Sequence, residues 1–152
     1  MTHMRKLLLF LLACSPLVAA ENPFIGTWKE DFAKSYDDNV TKRQSAIIRI
    51  ESAGENRVKI TQDQVDAAGK KTQRVGEFTL DGSDTHPSGP EDDLTQSFRL
   101  IRPNVWERIA KRPKDITDGY WAVSSDGKML IITGFGKDAN GEHYNHRVLE
   151  RQ

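Results

Sequence analysis

Past its first twenty residues the chain is cut into short β-forming runs, each ended by turn chemistry, at intervals of roughly 10 to 15 residues. The runs are Phe24–Lys29, Ser45–Glu51, Arg57–Gln62, Thr72–Leu80, Thr95–Arg102, Val105–Lys111, Gly119–Ser124, Met129–Phe135 and His143–Arg151. Arg57–Gln62 (RVKITQ) alternates cleanly, with Val58 and Ile60 on one face and Lys59 and Thr61 on the other. No stretch of this part sustains a 3.6-residue period. The breaks carry turn residues: Gly54, Asp66-Ala67-Ala68-Gly69, Pro103-Asn104, Arg112-Pro113 and Asp138-Ala139-Asn140-Gly141. Asp126-Gly127 is the strongest short-range hairpin signal. The pattern predicts an all-β fold, an antiparallel up-and-down meander of about nine strands. An open meander leaves two unpaired edges, and pairing the first strand with the last removes them. A closed barrel is therefore the expectation, with an open or sandwiched sheet as the alternative.

The beginning of the chain has a different character. Arg5 and Lys6 precede an apolar run, Leu7–Ala13, and Val18-Ala19-Ala20 offers small residues for cleavage. This is the layout of a secretory signal. The organisation expected is a signal peptide over residues 1–20 and a single domain over 21–152, exported to the periplasm or secreted. The apolar run is far shorter than the ~20 residues a membrane span needs, and no later segment approaches that length. Leu11-Leu12-Ala13-Cys14 also resembles a lipoprotein cleavage box, so a lipid anchor at Cys14 on an envelope protein is the alternative.

Removing the leader takes away Arg5 and Lys6 and leaves the acidic side chains two in excess of the basic ones. That balance lacks the concentrated basic face that nucleic acid requires. Cys14 is the only cysteine, so the domain after the leader relies on its apolar core rather than on disulfides.

The opening Phe24-Ile25-Gly26-Thr27-Trp28-Lys29 resembles the first strand of lipocalins, with their Gly-x-Trp element. Ala33-Lys34-Ser35, Val65-Asp66-Ala67-Ala68-Gly69-Lys70, Ser124-Ser125-Asp126-Gly127-Lys128 and the ending Val148–Gln152 extend the likeness. Together they resemble a group of secreted bacterial lipocalin-like proteins, calycin-type β-barrels of uncharacterised function. The resemblance implies a barrel that holds a small apolar or amphipathic molecule. It also implies that Gly26 and Trp28 close one end, with Arg147 or Arg151 over the indole.

Ligand contacts are expected at the aromatic and basic positions Phe98, Trp106, Arg108, Tyr120, Tyr144 and His146. A face that combines an aromatic with a basic group suits an amphipathic ligand with an anionic head. Alternation puts Trp106 with Arg108, and Tyr144 with His146, but both faces of these strands carry apolar groups. Period 2 therefore leaves open which face is inside. His143 and His146 fall on opposite faces of a strand, which argues against a shared metal. The polar stretch Asp81–Asp93 gathers five carboxylates and His86 without a calcium-loop spacing, and reads as a lid over the barrel mouth.

No Gly-x-Ser-x-Gly element, cysteine nucleophile or metal motif occurs, and no cofactor is expected. The expected function is an exported binding protein for a small apolar or amphipathic ligand. The alternatives are a packed barrel acting as an envelope interaction module, and a small barrel enzyme.

Overall fold

The computed structural model describes residues 21–37 and 42–152. Residues 1–20, where a leader is expected, and Cys14 among them, lie outside the described residues. Ten strands form one antiparallel sheet: β1 Gly26–Glu30, β2 Tyr36–Asp37, β3 Arg43–Gly54, β4 Arg57–Asp66, β5 Lys71–Thr79, β6 Thr95–Arg102, β7 Val105–Arg112, β8 Asp115–Val123, β9 Met129–Asp138 and β10 Gly141–Arg151. The spatial order is β5-β4-β3-β1-β10-β9-β8-β7-β6. First and last main strands do pair, with Trp28 opposite Arg151 and Glu30 opposite Leu149. The segment after β1 adds the two-residue β2, which continues the β1 edge along β10 at Asn145 and His146.

The hairpins form where side-chain chemistry satisfies the turn. At β8–β9, Ser124 Oγ donates to Asp126 Oδ1 at 2.6 Å, and the same oxygen accepts the Lys128 amide. Gly127 takes the left-handed conformation, φ +71°, that residues with a Cβ resist. At β4–β5, Asp66 accepts the amides of Ala68 and Lys70.

Closure is completed by something other than a strand. β5 and β6 are not ladder partners. Residues 81–93, expected as a lid over the mouth, run instead between these two strands as a strap. Gly82 and Thr85 donate to the Phe98 and Gln96 carbonyls of β6, while Ser88 and Val75 of β5 exchange both backbone hydrogen bonds. The correction has a physical basis, because the backbone groups of both edges need partners. A polar, proline-bearing stretch supplies them without a regular ladder.

The inward faces divide the barrel interior in two. At the end where β1 begins, Trp28, Ile48, Ile50, Val58, Ile60, Phe78, Phe98, Trp106, Trp121 and Leu130 form a continuous buried cluster. Phe24 stacks on Trp106 with ring centroids 3.7 Å apart, and Phe98 meets Phe78 and Trp121 edge-on at 4.8 and 5.0 Å. This half is filled by its own aromatics, as small barrels commonly are. The opposite half, towards the β4–β5, β7–β8 and β9–β10 turns, receives charged and polar side chains.

The plug at the filled end is Trp28. Its Nε1 donates to the Phe24 carbonyl at 2.9 Å, and the Arg151 guanidinium lies over the ring at 4.2 Å. Arg151 also donates to the carbonyls of Pro23, Ile25 and Gly127. Gly26 makes room for it, since a Cβ there would meet the Arg151 side chain. Arg147, the other candidate for this contact, is engaged elsewhere. Trp28→Ala should lower unfolding stability by about 3–5 kcal/mol, and Arg151→Met by about 0.5–2 kcal/mol, in urea titrations. Near-wild-type stability for Trp28→Ala would remove the indole from the closure.

Candidate functional site

The polar half is built by period 2 from the strands that carry the aromatic core. On β7, Trp106, Arg108, Ala110 and Arg112 share the inward face, so a strand that begins in the aromatic block ends in cations. Beyond Trp28 on β1 comes Glu30, and before Leu149 on β10 comes Arg147. β5 contributes Arg74, two residues before Gly76 and four before Phe78.

Most of these charges are paired. Glu30 is buried and takes a two-point grip from Arg147, Nε to Oε1 at 3.1 Å and Nη2 to Oε2 at 2.8 Å. Arg43 approaches Glu30 at 3.4 Å and Asp37 at 3.8 Å. Glu91, reaching in from the strap, accepts hydrogen bonds from Arg74 and, at 2.5 Å, from Arg112 Nε. Arg112 also meets Asp115, which accepts Thr117 Oγ1 at 3.4 Å and contacts His143 Nε2 at 3.1 Å.

Arg108 is the exception. Its side chain forms no ion pair among the described residues, and its Nε is buried without a hydrogen-bond partner. Loss of hydration, then the neighbouring charges of Arg112, Arg74 and Arg147, push its pKa down to about 9, with Glu91 opposing. It therefore keeps its charge at neutral pH. By alternation with Trp106 its side chain belongs to the inward face of β7. Two indole N–H groups on the same inward faces, Trp106 Nε1 and Trp121 Nε1, also lack acceptors, as does Gln96 Nε2. The unsatisfied buried side-chain groups are all donors. Their complement is an oxygen-bearing anion.

The neighbouring arginines respond to the same crowding. Burial lowers the pKa of Arg74 despite Glu91, and that of Arg43 despite Glu30 and Asp37. Burial opposes the charge of Glu91, but the Arg112 hydrogen bond and the fields of Arg74, Arg112 and Arg108 outweigh it and hold the carboxyl below the usual range. The stability Glu91 contributes is therefore complete above the ordinary carboxylate pKa and lost as pH falls through the lowered one.

Of the positions expected to contact ligand, Phe98, Trp106 and Arg108 are brought together: Phe98 sits opposite Arg108 in the β6–β7 ladder, on the inward face. Tyr120, Tyr144 and His146 are not. Tyr120 alternates with buried Gly119 and Trp121 and is 49% exposed. Tyr144 packs against Phe135, itself 61% exposed, and Tyr36, on the outside of the sheet. His146 shares that outward face and lies opposite Tyr36 in the ladder. The inward set of β10 is instead His143, Asn145, Arg147 and Leu149. Sequence reasoning missed Glu30, Arg43, Arg74, Glu91 and Arg112. Glu30 was reachable, because it is two residues from Trp28 on the same face, whereas Glu91 sits in a stretch without periodicity.

At the polar end, Asp93, Arg112, Pro113, Lys114, Asp115, Asp138 and Asn140 border an open hollow of about 500 Å³. Among the described residues no three His, Cys, Asp or Glu side chains are placed to hold a metal. The Thr117 hydroxyl is bonded to Asp115 rather than to His143, so the cluster does not present a nucleophile on its base.

No family model matches the chain, and no curated protein is similar to it. Solved structures do share its fold. The fluorescent protein UnaG aligns with a TM-score of 0.60 at 15% identity, over 85% of this chain and 97% of that one. A redesigned beta barrel aligns with a TM-score of 0.52 at 11% identity, over 86% and 92%. Another redesigned barrel, mFAP1, solved bound to DFHBI, aligns at 0.50 and 9% identity, over 85% and 95%. The shared feature is the fold, an antiparallel β-barrel.

Two substitutions should move stability in opposite directions. Glu30→Ala strands the Arg147 guanidinium, leaves Arg43 only its longer contact with Asp37, and should cost about 3–5 kcal/mol. Arg108→Met removes a buried charge that has no partner and should stabilise the empty protein by about 1–3 kcal/mol. Urea denaturation reads both, and a destabilised Arg108→Met would mean that the guanidinium is satisfied in the empty protein.

Proposed function

We propose that this chain is an exported binding protein that holds a small amphipathic ligand inside its barrel, with the ligand's anionic head on Arg108. The observation that carries this reading is the buried, unpartnered guanidinium. A charge in that position is costly unless an opposite charge joins it, and arginine grips a carboxylate or phosphate in a two-point geometry. The arginines around Arg108 are engaged by Glu30, Asp37, Glu91 and Asp115, which leaves Arg108 to receive the anionic group.

The aromatic block bounds the ligand at its other end. Phe98, Trp106 and Trp121 offer an apolar floor rather than a deep tunnel, which favours a short amphipathic molecule over a long acyl chain. The solved barrel mFAP1, bound to DFHBI, supports the general idea that this architecture accommodates a small molecule. Export rests on Arg5-Lys6, Leu7–Ala13 and the small residues before Glu21. A free Glu21 at the N-terminus of the purified envelope or secreted protein, read by mass spectrometry, accords with simple cleavage; a lipidated Cys14 would make it an anchored protein.

A second reading has its own observation. Tyr36, Tyr120 and Phe135 are exposed on the outer face of the sheet, as an interaction module would display them. Titration calorimetry with octanoate, and with octanamide as its neutral counterpart, separates the two. The binding reading expects octanoate heat that is lost in Arg108→Met, and a thermal shift matching about 2.7 kcal/mol at a hundredfold excess over Kd. Equal binding of octanamide, or retained octanoate binding in Arg108→Met, would remove Arg108 from the site.

A further inference from the structure

The strap has two kinds of attachment. Up to Ser88 it is held by backbone hydrogen bonds to β5 and β6. Pro87 and Leu94 are both buried and pin it at two points, with Pro87 packed next to Gly76 of β5. Between these anchors, Gly89–Asp93 makes no ladder contact among the described residues, and Pro90, Asp92 and Asp93 are exposed. Gly89 lies against the Gln73–Arg74 backbone of β5, and beyond it the tie is the Glu91 side chain, shared between Arg74 of β5 and Arg112 at the end of β7. Both arginines belong to the cluster whose charges act on Arg108. Two residues further on, Asp93 borders the open hollow with Arg112.

From this arrangement we propose that Glu91 is a built-in stand-in for the ligand's anionic group: it latches the Gly89–Asp93 flap in the empty protein, and an incoming anion displaces it from Arg74 and Arg112. The inference rests on the anion-binding reading above and adds its regulation. The chemistry on the two sides is the same, carboxylate on guanidinium, so the exchange conserves ion pairs and needs little net free energy. A flap freed at Glu91 pivots on Pro87 and Leu94 while the Gly82, Thr85 and Ser88 bonds keep the seam shut. The latch thus couples occupancy of the interior to the shape of the mouth.

The test measures octanoate affinity by calorimetry, and amide hydrogen exchange over residues 89–94, in four proteins. These are wild type, Glu91→Gln, Glu91→Asp and the charge-matched control Asp92→Asn, whose carboxylate is exposed and outside the latch. Removal of the internal competitor should tighten octanoate by about tenfold or more in Glu91→Gln. Glu91→Asp, too short to span both arginines, should show a smaller gain. Asp92→Asn should stay near wild type. Octanoate should speed exchange of the flap in wild type, whereas in Glu91→Gln exchange is already fast without it.

Weaker binding in Glu91→Gln would make the residue a support of the site and overturn the proposal. Equal tightening in Asp92→Asn would do the same, since it reduces the effect to loop charge. Octanoate binding that Arg108→Met abolishes but Glu91→Gln leaves unchanged sinks the latch alone. Octanoate bound by none of the four proteins sinks the anion-binding reading together with it.

Discussion

A guanidinium brought into a barrel must find a carboxylate, and most of the polar half of this molecule follows from that requirement. Arg43, Arg74, Arg112 and Arg147 point inward from four different strands, and each meets an acid supplied by another element. Glu30 ties β1 to β3 and β10 through its two arginines. Glu91 ties the strap to β5 and β7. These pairs are worth less as net stability than their number suggests, because every partner has lost its water. Their structural effect is to set register and position: a side chain that must be paired at one place cannot slide by one residue without stranding its partner. Against that background Arg108, which forms no ion pair among the described residues, stands out as a chemical opening.

The other half obeys a different rule. Stacked and edge-on rings fill it at contact distance, and the Trp28 indole with Arg151 over it seals the end. Packing of this density tolerates little change in volume. The interior is therefore divided into a rigid aromatic half and a half of paired charges, and the boundary runs through single strands. On β7 it falls between Trp106 and Arg108. An amphipathic guest would match this division, with its charged end among the arginines and a short apolar part against the rings.

Much of the architecture was legible in the chain. Alternation in Arg57–Gln62, the Asp126-Gly127 turn and the spacing of the breaks report local geometry, which depends on neighbours in sequence. The site was legible only in part, for two physical reasons. Period 2 groups Trp106 with Arg108 but does not orient the strand, and both faces of β8 and β10 carry large side chains. Tyr120 and Tyr144 therefore read as candidates although they lie outside. The partners of a buried charge, in turn, come from strands far apart in sequence, as Glu30 and Arg147 do. Glu91 carries no local signature at all, because its role arises from the seam between β5 and β6, which exists only once the sheet has curled.

The seam itself has a consequence for how such a barrel changes over time. Every other boundary in the shell is a ladder in which an insertion shifts the facing of all later side chains. The strap is fixed by a few backbone bonds and two buried residues, so its sequence and length between Ser88 and Leu94 are free of that constraint. New chemistry at the mouth is therefore accessible by editing a handful of loop positions while the rigid wall stays as it is. Divergence in the chemistry of that end should concentrate there, in the one part of the described wall that is not a strand.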